Sequence, residues 1–317
     1  DGVQPGFVGF GTGMRDDEVL VTASTKVENP AFLPKAGHAN TGAGCIIEDV
    51  DIKDENAGSA GADAAADACQ NAGASVENIM LSLEDGEFSI ENMPFNTAQS
   101  PLKDAEGWAD APDGAKEFIV LCCDGRVRRP CLLLKNENGE YDTVAMYRNK
   151  KAEEPIAVAK YQEDSPFFLD EVIQEDGTRL SCVRSIRYIY HNDDYSTINF
   201  WINRANDITD DVAWHPKSLH KEIIENVGYW SFTSGLGGKN TFFSKQLMLP
   251  TWEIYNNWQA ACLKYFIDND RYDVIFSHLH NVDGIGHNIW PHGNENTHTN
   301  SEDIEQNHEF MVETYRQ

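Results

Sequence analysis

Basic residues are scarce in this chain: 25 Lys and Arg stand against 52 Asp and Glu, a formal net charge of −27 over 317 residues. Nucleic-acid binders gain affinity by exchanging counterions for Lys and Arg on a basic surface, so a general DNA or RNA binder, duplexes included, is excluded. An anionic membrane surface would repel the chain for the same reason. Apolar runs are short, and none reaches the roughly 20 residues of a membrane span, so no membrane partner is expected. The seven cysteines, at 45, 69, 122, 123, 131, 182 and 262, form no C-x-x-C pair and no regular spacing, and their number is odd. This excludes a disulfide framework and a four-cysteine zinc site. It reads instead as buried thiols in a reducing, cytoplasmic compartment. What is present is material for a core: 41% hydrophobic and 10% aromatic residues are incompatible with a disordered chain. The length allows one large or two ordinary domains. Nothing in the sequence sets the oligomeric state.

The period of the apolar residues changes along the chain. Residues 1–50 are rich in glycine with short apolar runs, such as Val19–Val21 and Cys45–Ile47, and read as loops and short strands. Gly9–Gly13 lacks the G-x-G-x-x-G spacing and reads as turns rather than a phosphate loop. Residues 57–74 are almost all small or acidic, a solvated loop or weak helix. From about 117 to 205 the pattern is β. Phe118–Leu121, Cys131–Leu134 and Thr143–Tyr147 are short strands, the last two joined by a turn at Asn136–Gly139 with glycine where a positive φ is wanted. Ile156–Ala159 and two longer runs, Leu180–Tyr190 and Tyr195–Ile202, complete an antiparallel, β-rich segment. Beyond Trp214 the period becomes helical. Lys217–Val227 predicts a short helix. Thr251–Asp268 predicts a longer one, with Thr251 as N-cap and Trp252, Tyr255, Trp258, Cys262 and Tyr265 or Phe266 as its core face. Val274–Phe276 predicts a buried strand, and about 302–316 a last helix with Ile304, Met311 and Tyr315 inward. Helix, strand, loop and helix make an α/β unit, whose sites lie beyond the carboxyl ends of the strands.

The loop after that strand is dense in metal-capable groups. Six of the ten histidines fall between 278 and 308, and His278, His280, Asp283 and His287 sit within ten residues. Histidines of this kind can be ordinary surface or capping residues. The H-x-H-x-D-H pattern of metallo-β-lactamases does not fit, because one residue too many separates His280 from Asp283 and His287 comes four residues after Asp283. What fits is D-x-x-G-H, here Asp283-Gly284-Ile285-Gly286-His287. A hard carboxylate and a borderline imidazole suit Zn²⁺ or Mn²⁺, and the glycines let the backbone turn both side chains toward one point.

With the apolar run before it, this loop resembles the alkaline phosphatase superfamily, in its type I phosphodiesterase/nucleotide pyrophosphatase branch, and more loosely the cofactor-independent phosphoglycerate mutases. Ala105-Glu106-Gly107-Trp108, then Pro112–Ala115 and the β-rich segment, is similar to an insertion in some bacterial members. The resemblance implies a mixed α/β sheet flanked by helices. Residues 1–104 would be an irregular part of that core, 105–210 an inserted β-rich cap-like subdomain, and 211–317 the core segment with the metal loop. It implies a two-metal centre, most simply zinc with manganese as the alternative, with Asp283 and His287 as ligands of one metal. His278, His280, Trp290 and His292 would line the pocket of a small anionic phosphate-containing substrate. The implied activity is hydrolysis of phosphate esters or anhydrides by in-line attack of a Thr or Ser. The family pattern also calls for an early Asp ligand, a later Asp-His pair and a further His. This chain has no Asp-His pair, and Thr25 and Thr41 are the early threonines to nominate as nucleophile, neither in a clear strand-to-helix turn. The expectation is therefore a piece of a longer protein, with the nucleophile elsewhere. Two other readings are a non-catalytic interaction or carbohydrate-binding module using Tyr188, Tyr190 and Trp201, and a phosphoglycerate-mutase-like phosphotransferase.

Overall fold

Alternating apolar and polar residues after residue 96 are realised as strands, and the helical period after 214 as helices. The computed structural model describes residues 7–8, 14–16, 18–33, 96–209, 214–230, 241–269, 272–277, 279, 281–282 and 301–317. The chain is mixed α/β, mostly strand, with three helices among the described residues. The strands are β1 (Phe7–Val8), β2 (Met14–Asp16), β3 (Val19–Ser24), β4 (Ala31–Leu33), β5 (Asn96–Pro101), β6 (Lys103–Asp104), β7 (Lys116–Cys122), β8 (Val127–Lys135), β9 (Tyr141–Met146) and β10 (Ala157–Lys160). They continue as β11 (Phe168–Ile173), β12 (Arg179–Arg184), β13 (Ile186–His191), β14 (Thr197–Ile202), β15 (Ala205–Asp207) and β16 (Trp214–His215). The helices are α1 (Ser218–Asn226), α2 (Thr241–Asp268) and α3 (Ser301–Arg316). No helix among the described residues is long and apolar enough to cross a membrane. The chain divides into two compact units, Gly13–Thr209 and Asp1–Thr12 with Asp210–Gln317.

The unit Gly13–Thr209 holds three sheets, in the orders β10-β9-β8-β7-β6, β11-β12-β15-β2 and β13-β14-β3-β5-β4. All its neighbouring strands run antiparallel except β3 and β5, which are parallel. The inner faces of the two five-stranded sheets share one core, in which Val19, Val21, Ala98, Ile198, Phe200 and Ile202 meet Phe118, Val120 and Leu133. Phe118 meets Phe200 edge to face at 5.7 Å between centroids. Tyr188 and Trp201 are both 0% exposed, so two of the three aromatics a binding module would present are core residues. The expected turn is present: Asn136 Oδ1 accepts the N–H groups of Asn138 and Glu140 at 2.9 and 3.1 Å, and Gly139 takes φ +85°. Cys122, Cys123, Cys131, Cys182 and Cys262 are buried free thiols, as read from their spacing; Cys45 and Cys69, with the 57–74 segment and Gly9–Gly13, lie outside the described residues.

The run Leu180–Tyr190, one strand by its pattern, is two. It breaks at Ser185, passing from the four-stranded sheet (β12) into the five-stranded one (β13). The break is held by substitute hydrogen bonds: the Asn203 N–H donates to Ser185 O at 2.9 Å, and the Ile186 N–H donates to Ser165 Oγ at 3.0 Å. The apolar alternation lapses at the bend, where the adjacent polar residues Arg184 and Ser185 stand. Beside it lies a buried charge network. Arg129 donates to Asp170 Oδ1 from Nη2 at 2.6 Å and Nε at 3.1 Å, Arg184 Nε lies 3.9 Å from Asp170 Oδ2, and the Trp201 indole donates to Glu18 at 2.9 Å.

The Ala105–Ala115 segment is a strap over the outer face of the first sheet, where Trp108 and Ala111 pack on Leu132, Ala145 and Tyr147. Glu117 on β7 pins it, accepting from the Trp108 indole and from Lys150 Nζ at 2.6 Å each and from the Glu106 N–H at 3.1 Å. Burial pushes the Glu117 carboxyl up, but the Lys150 ammonium, the Glu106 N–H and the Trp108 indole outweigh it and hold the carboxyl below its ordinary value. A carboxyl depressed in the folded state contributes stability that is complete above its unfolded value and is lost as pH falls through the folded value. Glu117→Gln is therefore expected to destabilise the protein at neutral pH. Its urea midpoint should converge on that of the wild type as pH drops below 4.5, the ordinary value for the group. A gap that stays constant with pH would exclude this ion-pair origin.

In the unit built from Asp1–Thr12 and Asp210–Gln317, β1 pairs antiparallel with β16, and α1 follows directly. The helix expected from Thr251 begins ten residues earlier, at Thr241, with Pro250 inside it. Thr251 is not a cap but a buried mid-helix residue, 1% exposed. The expected core face is otherwise found, with Trp252, Tyr255, Cys262 and Phe266 buried. On α3 the buried residues among those described are Phe310, Met311 and Thr314, while Tyr315, expected inward, is 68% exposed. Thr314 fits inside because its hydroxyl donates to Phe310 O at 3.0 Å, which disposes of its one polar group.

Candidate functional site

Asp283, His287, His278, His280, Trp290 and His292 all lie outside the described residues, as does Thr41. Thr25 is described: it is exposed, in the turn after β3, with its N–H donated to Ser196 O at 2.9 Å. Among the described residues no three His, Cys, Asp or Glu side chains gather to hold a metal ion.

What is described is the segment leading into the candidate loop, and it corrects the expectation of a buried strand. Tyr272–Ser277 belongs to none of the strands, and Val274 and Phe276 are 67% and 95% exposed. A strand of this composition is stable only when neighbours take its backbone groups and cover both faces. No described strand pairs with it.

The segment is nevertheless anchored, and both anchors come from α2. The Tyr272 ring meets Phe266 edge to face at 5.4 Å, and Gln259 Nε2 donates to Ser277 Oγ at 2.9 Å. Tyr255, Gln259, Cys262 and Phe266 are spaced by four, three and four residues, so they lie on one side of the helix, and all are buried. The segment thus runs back along this face, from Phe266 toward Gln259. Asn281, two residues before Asp283, is 6% exposed. Burial pushes the Cys262 thiol up to about 12, leaving it protonated and a poor metal ligand.

The helix is itself tied to α1. The Trp258 indole donates to Gly228 O at 3.0 Å, and the Tyr265 hydroxyl to Glu222 at 2.8 Å. A chain of rings, Trp214, Trp230, Trp258, Tyr255 and Trp252, joins neighbours at centroid distances of 5.4 to 5.9 Å. The aromatic stripe is thus a packing device between α1, α2 and the residues flanking them. Gln259, Ser277 and Asn281 were not among the residues singled out by sequence. A glutamine at stripe spacing between Tyr255 and Cys262 is the signal that could have found the first.

In the other unit, Tyr141, Tyr195, His191, Tyr161 and Tyr188 gather at one place. The His191 ring is stacked on Tyr195 at 4.5 Å and lies 4.6 Å from Tyr161; Tyr195 also meets the Tyr141 ring at 5.2 Å, and Tyr161 that of Tyr188 at 5.2 Å. Gln162 and Tyr195 hold φ of +61° and +54°, a conformation rare for side chains of that size. The Tyr141–Tyr195 and Tyr161–Tyr188 contacts are edge to face, and Tyr161, His191 and Tyr195 are half-buried. The cluster holds Tyr195, in the turn at Asn192–Ser196, against His191 and Tyr141.

Comparison with known proteins gives no match: no family model, no curated protein and no solved structure matches the chain.

Proposed function

We propose that this protein is a metal-dependent hydrolase of phosphate esters or anhydrides, of the phosphodiesterase/nucleotide pyrophosphatase kind, with an alkaline-phosphatase-like α/β core. The observation that carries the reading is Asp283-Gly284-Ile285-Gly286-His287, set in a stretch that also holds His278, His280 and His292. The chemistry of this donor set fits a divalent ion: one hard carboxylate and an imidazole four residues on, separated by two glycines, suit zinc and also manganese. Asp283 and His287 would hold one metal of a pair. His278, His280, Trp290 and His292 would shape the pocket for a small, anionic phosphate-containing substrate. Divalent ions bound there would supply charge for the phosphoryl oxygens and a lowered pKa for the attacking hydroxyl. They also reconcile an anionic substrate with a chain of net charge −27, because a bound cation sets the local field. A Thr or Ser hydroxyl would be the nucleophile, and a cytoplasmic location fits the buried free thiols.

Removing the metal tests this directly. Exhaustive chelation should abolish cleavage of a chromogenic phosphodiester, and returning Zn²⁺ or Mn²⁺ should restore it while Mg²⁺ restores less. Undiminished cleavage by metal-free protein would overturn the proposal. Transfer of the phosphoryl group to a second alcohol in preference to water would point instead to phosphotransfer of the phosphoglycerate-mutase type.

A further inference from the structure

We propose that the aromatic corner around His191 is a binding site for a linear aliphatic diamine. The corner forms where the chain leaving β10 crosses to the hairpin of β13 and β14, at the bridge between Tyr161 and Tyr188. The Tyr161 N–H donates to Asp142 O and the Gln162 N–H to Tyr188 O, at 2.7 Å each, which fixes Tyr161 in place. The His191 imidazole has two phenol rings as neighbours, Tyr161 at 4.6 Å and Tyr195 at 4.5 Å. These three side chains are half-buried, so this part of the cluster reaches solvent. Ring faces carry the negative part of the aromatic quadrupole and attract cations. The cluster already does so once: Lys135 Nζ lies 4.8 Å from the centroid of Tyr141, the ring that meets Tyr195 edge to face.

Carboxylates add to this field. Burial pushes the Tyr195 hydroxyl up, and Glu140, Asp142, Tyr161 and Asp193 push it further, so three carboxylates bear on one ring. Tyr188 gives an independent sign of a ligand. It is 0% exposed, and its hydroxyl has no hydrogen-bond partner. That hydroxyl faces the same groups: after burial, Tyr195, Tyr161 and Asp142 are what push it far above its ordinary value. A buried hydroxyl left unpaired costs stability, which a donor N–H brought to it would recover. A metal ion does not suit the corner, because among the described residues no three His, Cys, Asp or Glu side chains converge on one point. A neutral sugar would gain nothing from the three charges. A diamine answers both parts, with methylenes for the rings and ammonium groups for the carboxylates. The inference is independent of the metal reading of Asp283 and His287.

The test is calorimetric titration of the whole chain with 1,4-diaminobutane, in about 0.1 M salt so that general attraction to the acidic surface is screened. Two comparison probes separate the terms. 1,4-Butanediol keeps the methylenes without the charge, and Mg²⁺ keeps the charge without the methylenes. The diamine should bind saturably and about tenfold more tightly than the diol, and an equal concentration of Mg²⁺ should not displace it. Tyr161→Leu should weaken binding about threefold to tenfold. Asp193→Asn, an exposed change in the hairpin turn, should weaken it about threefold without touching the core. Circular dichroism and melting temperature serve as controls for folding. Glu253→Gln, an exposed carboxylate on α2, removes the same charge elsewhere and should leave the affinity unchanged. Equal affinity for the diamine and the diol would overturn the cation reading. Displacement by Mg²⁺, or equal losses in Asp193→Asn and Glu253→Gln, would assign the binding to the net charge of −27 and overturn the site.

Discussion

Asp283→Ala is expected to lower metal-dependent phosphodiester cleavage by about 100-fold or more, with little change in melting temperature. The size follows from the chemistry of the ligand. Loss of an outer partner of a metal site already costs about 10- to 100-fold, and loss of a charged inner ligand exceeds that, because it removes both a bond and the negative charge that holds the cation. His287→Ala should match it, since the two residues hold one ion. His280→Ala should cost less than either, because a pocket residue shapes substrate binding without holding the metal. The order distinguishes this scheme from its rivals. If His280→Ala were the most damaging of the three, the ligand set would be the histidine pair and not D-x-x-G-H. If all three retained full activity, the loop would hold no catalytic metal. Added zinc gives a further check: at high zinc concentration a weakened His287→Ala site should regain part of its activity, while a substrate-binding defect should not respond.

The parts of this chain legible in sequence are those where local pattern and tertiary environment agree. The antiparallel strands after residue 116 and the Asn136–Gly139 turn follow from alternation and from glycine, and the structure has them. The end of α2 and its aromatic face follow from helical spacing. Three features were not legible, each for a physical reason. The bend at Ser185 shows in the sequence only as two adjacent polar residues, Arg184 and Ser185, and is made by serine and asparagine hydrogen bonds, which have no periodic signature. The start of α2 at Thr241 is hidden because Pro250 and Thr251 together mimic a helix beginning. The segment at Val274–Phe276 has the composition of a buried strand, but composition states only what a segment can do when neighbours are present. Of the candidate site, Asp283 and His287 are proposed from the D-x-x-G-H spacing alone and lie outside the described residues. The anchor from Gln259 to Ser277 spans 18 residues and two elements, and no local pattern encodes it.

Asp170→Ala should be the most destabilising single substitution in the Gly13–Thr209 unit, at about 3–5 kcal/mol. The carboxylate side chain is 0% exposed and lies among guanidiniums: Arg129 at 2.6 Å, Arg184 at 3.9 Å and Arg148 at 4.0 Å. The Arg129 side chain is 7% exposed and that of Arg184 is 0% exposed. Removing the anion leaves two buried cations without this counter-charge, though Arg184 still donates to Asn203 O at 2.9 Å, and the cost is their desolvation rather than the strength of the lost bonds. Arg129 keeps contacts to Glu171 at 3.2 Å and to Arg128 O at 3.3 Å, which limit the loss but do not offset it, because Glu171 already serves Arg179 at 2.6 Å and a carbonyl carries no full charge. Glu171 supplies the contrast. Its side chain and that of Arg179 are 28% and 64% exposed, and Glu171→Ala should cost less than half as much as Asp170→Ala, since exposed pairs contribute about 1 kcal/mol or less. A paired change decides the cause. If stranded charge is the problem, replacing Arg129 by Met in the Asp170→Ala background should restore stability rather than reduce it further. Urea unfolding of the wild type and these three variants measures this, and a double variant weaker than Asp170→Ala alone would show that packing, not charge, holds the bend between the sheets.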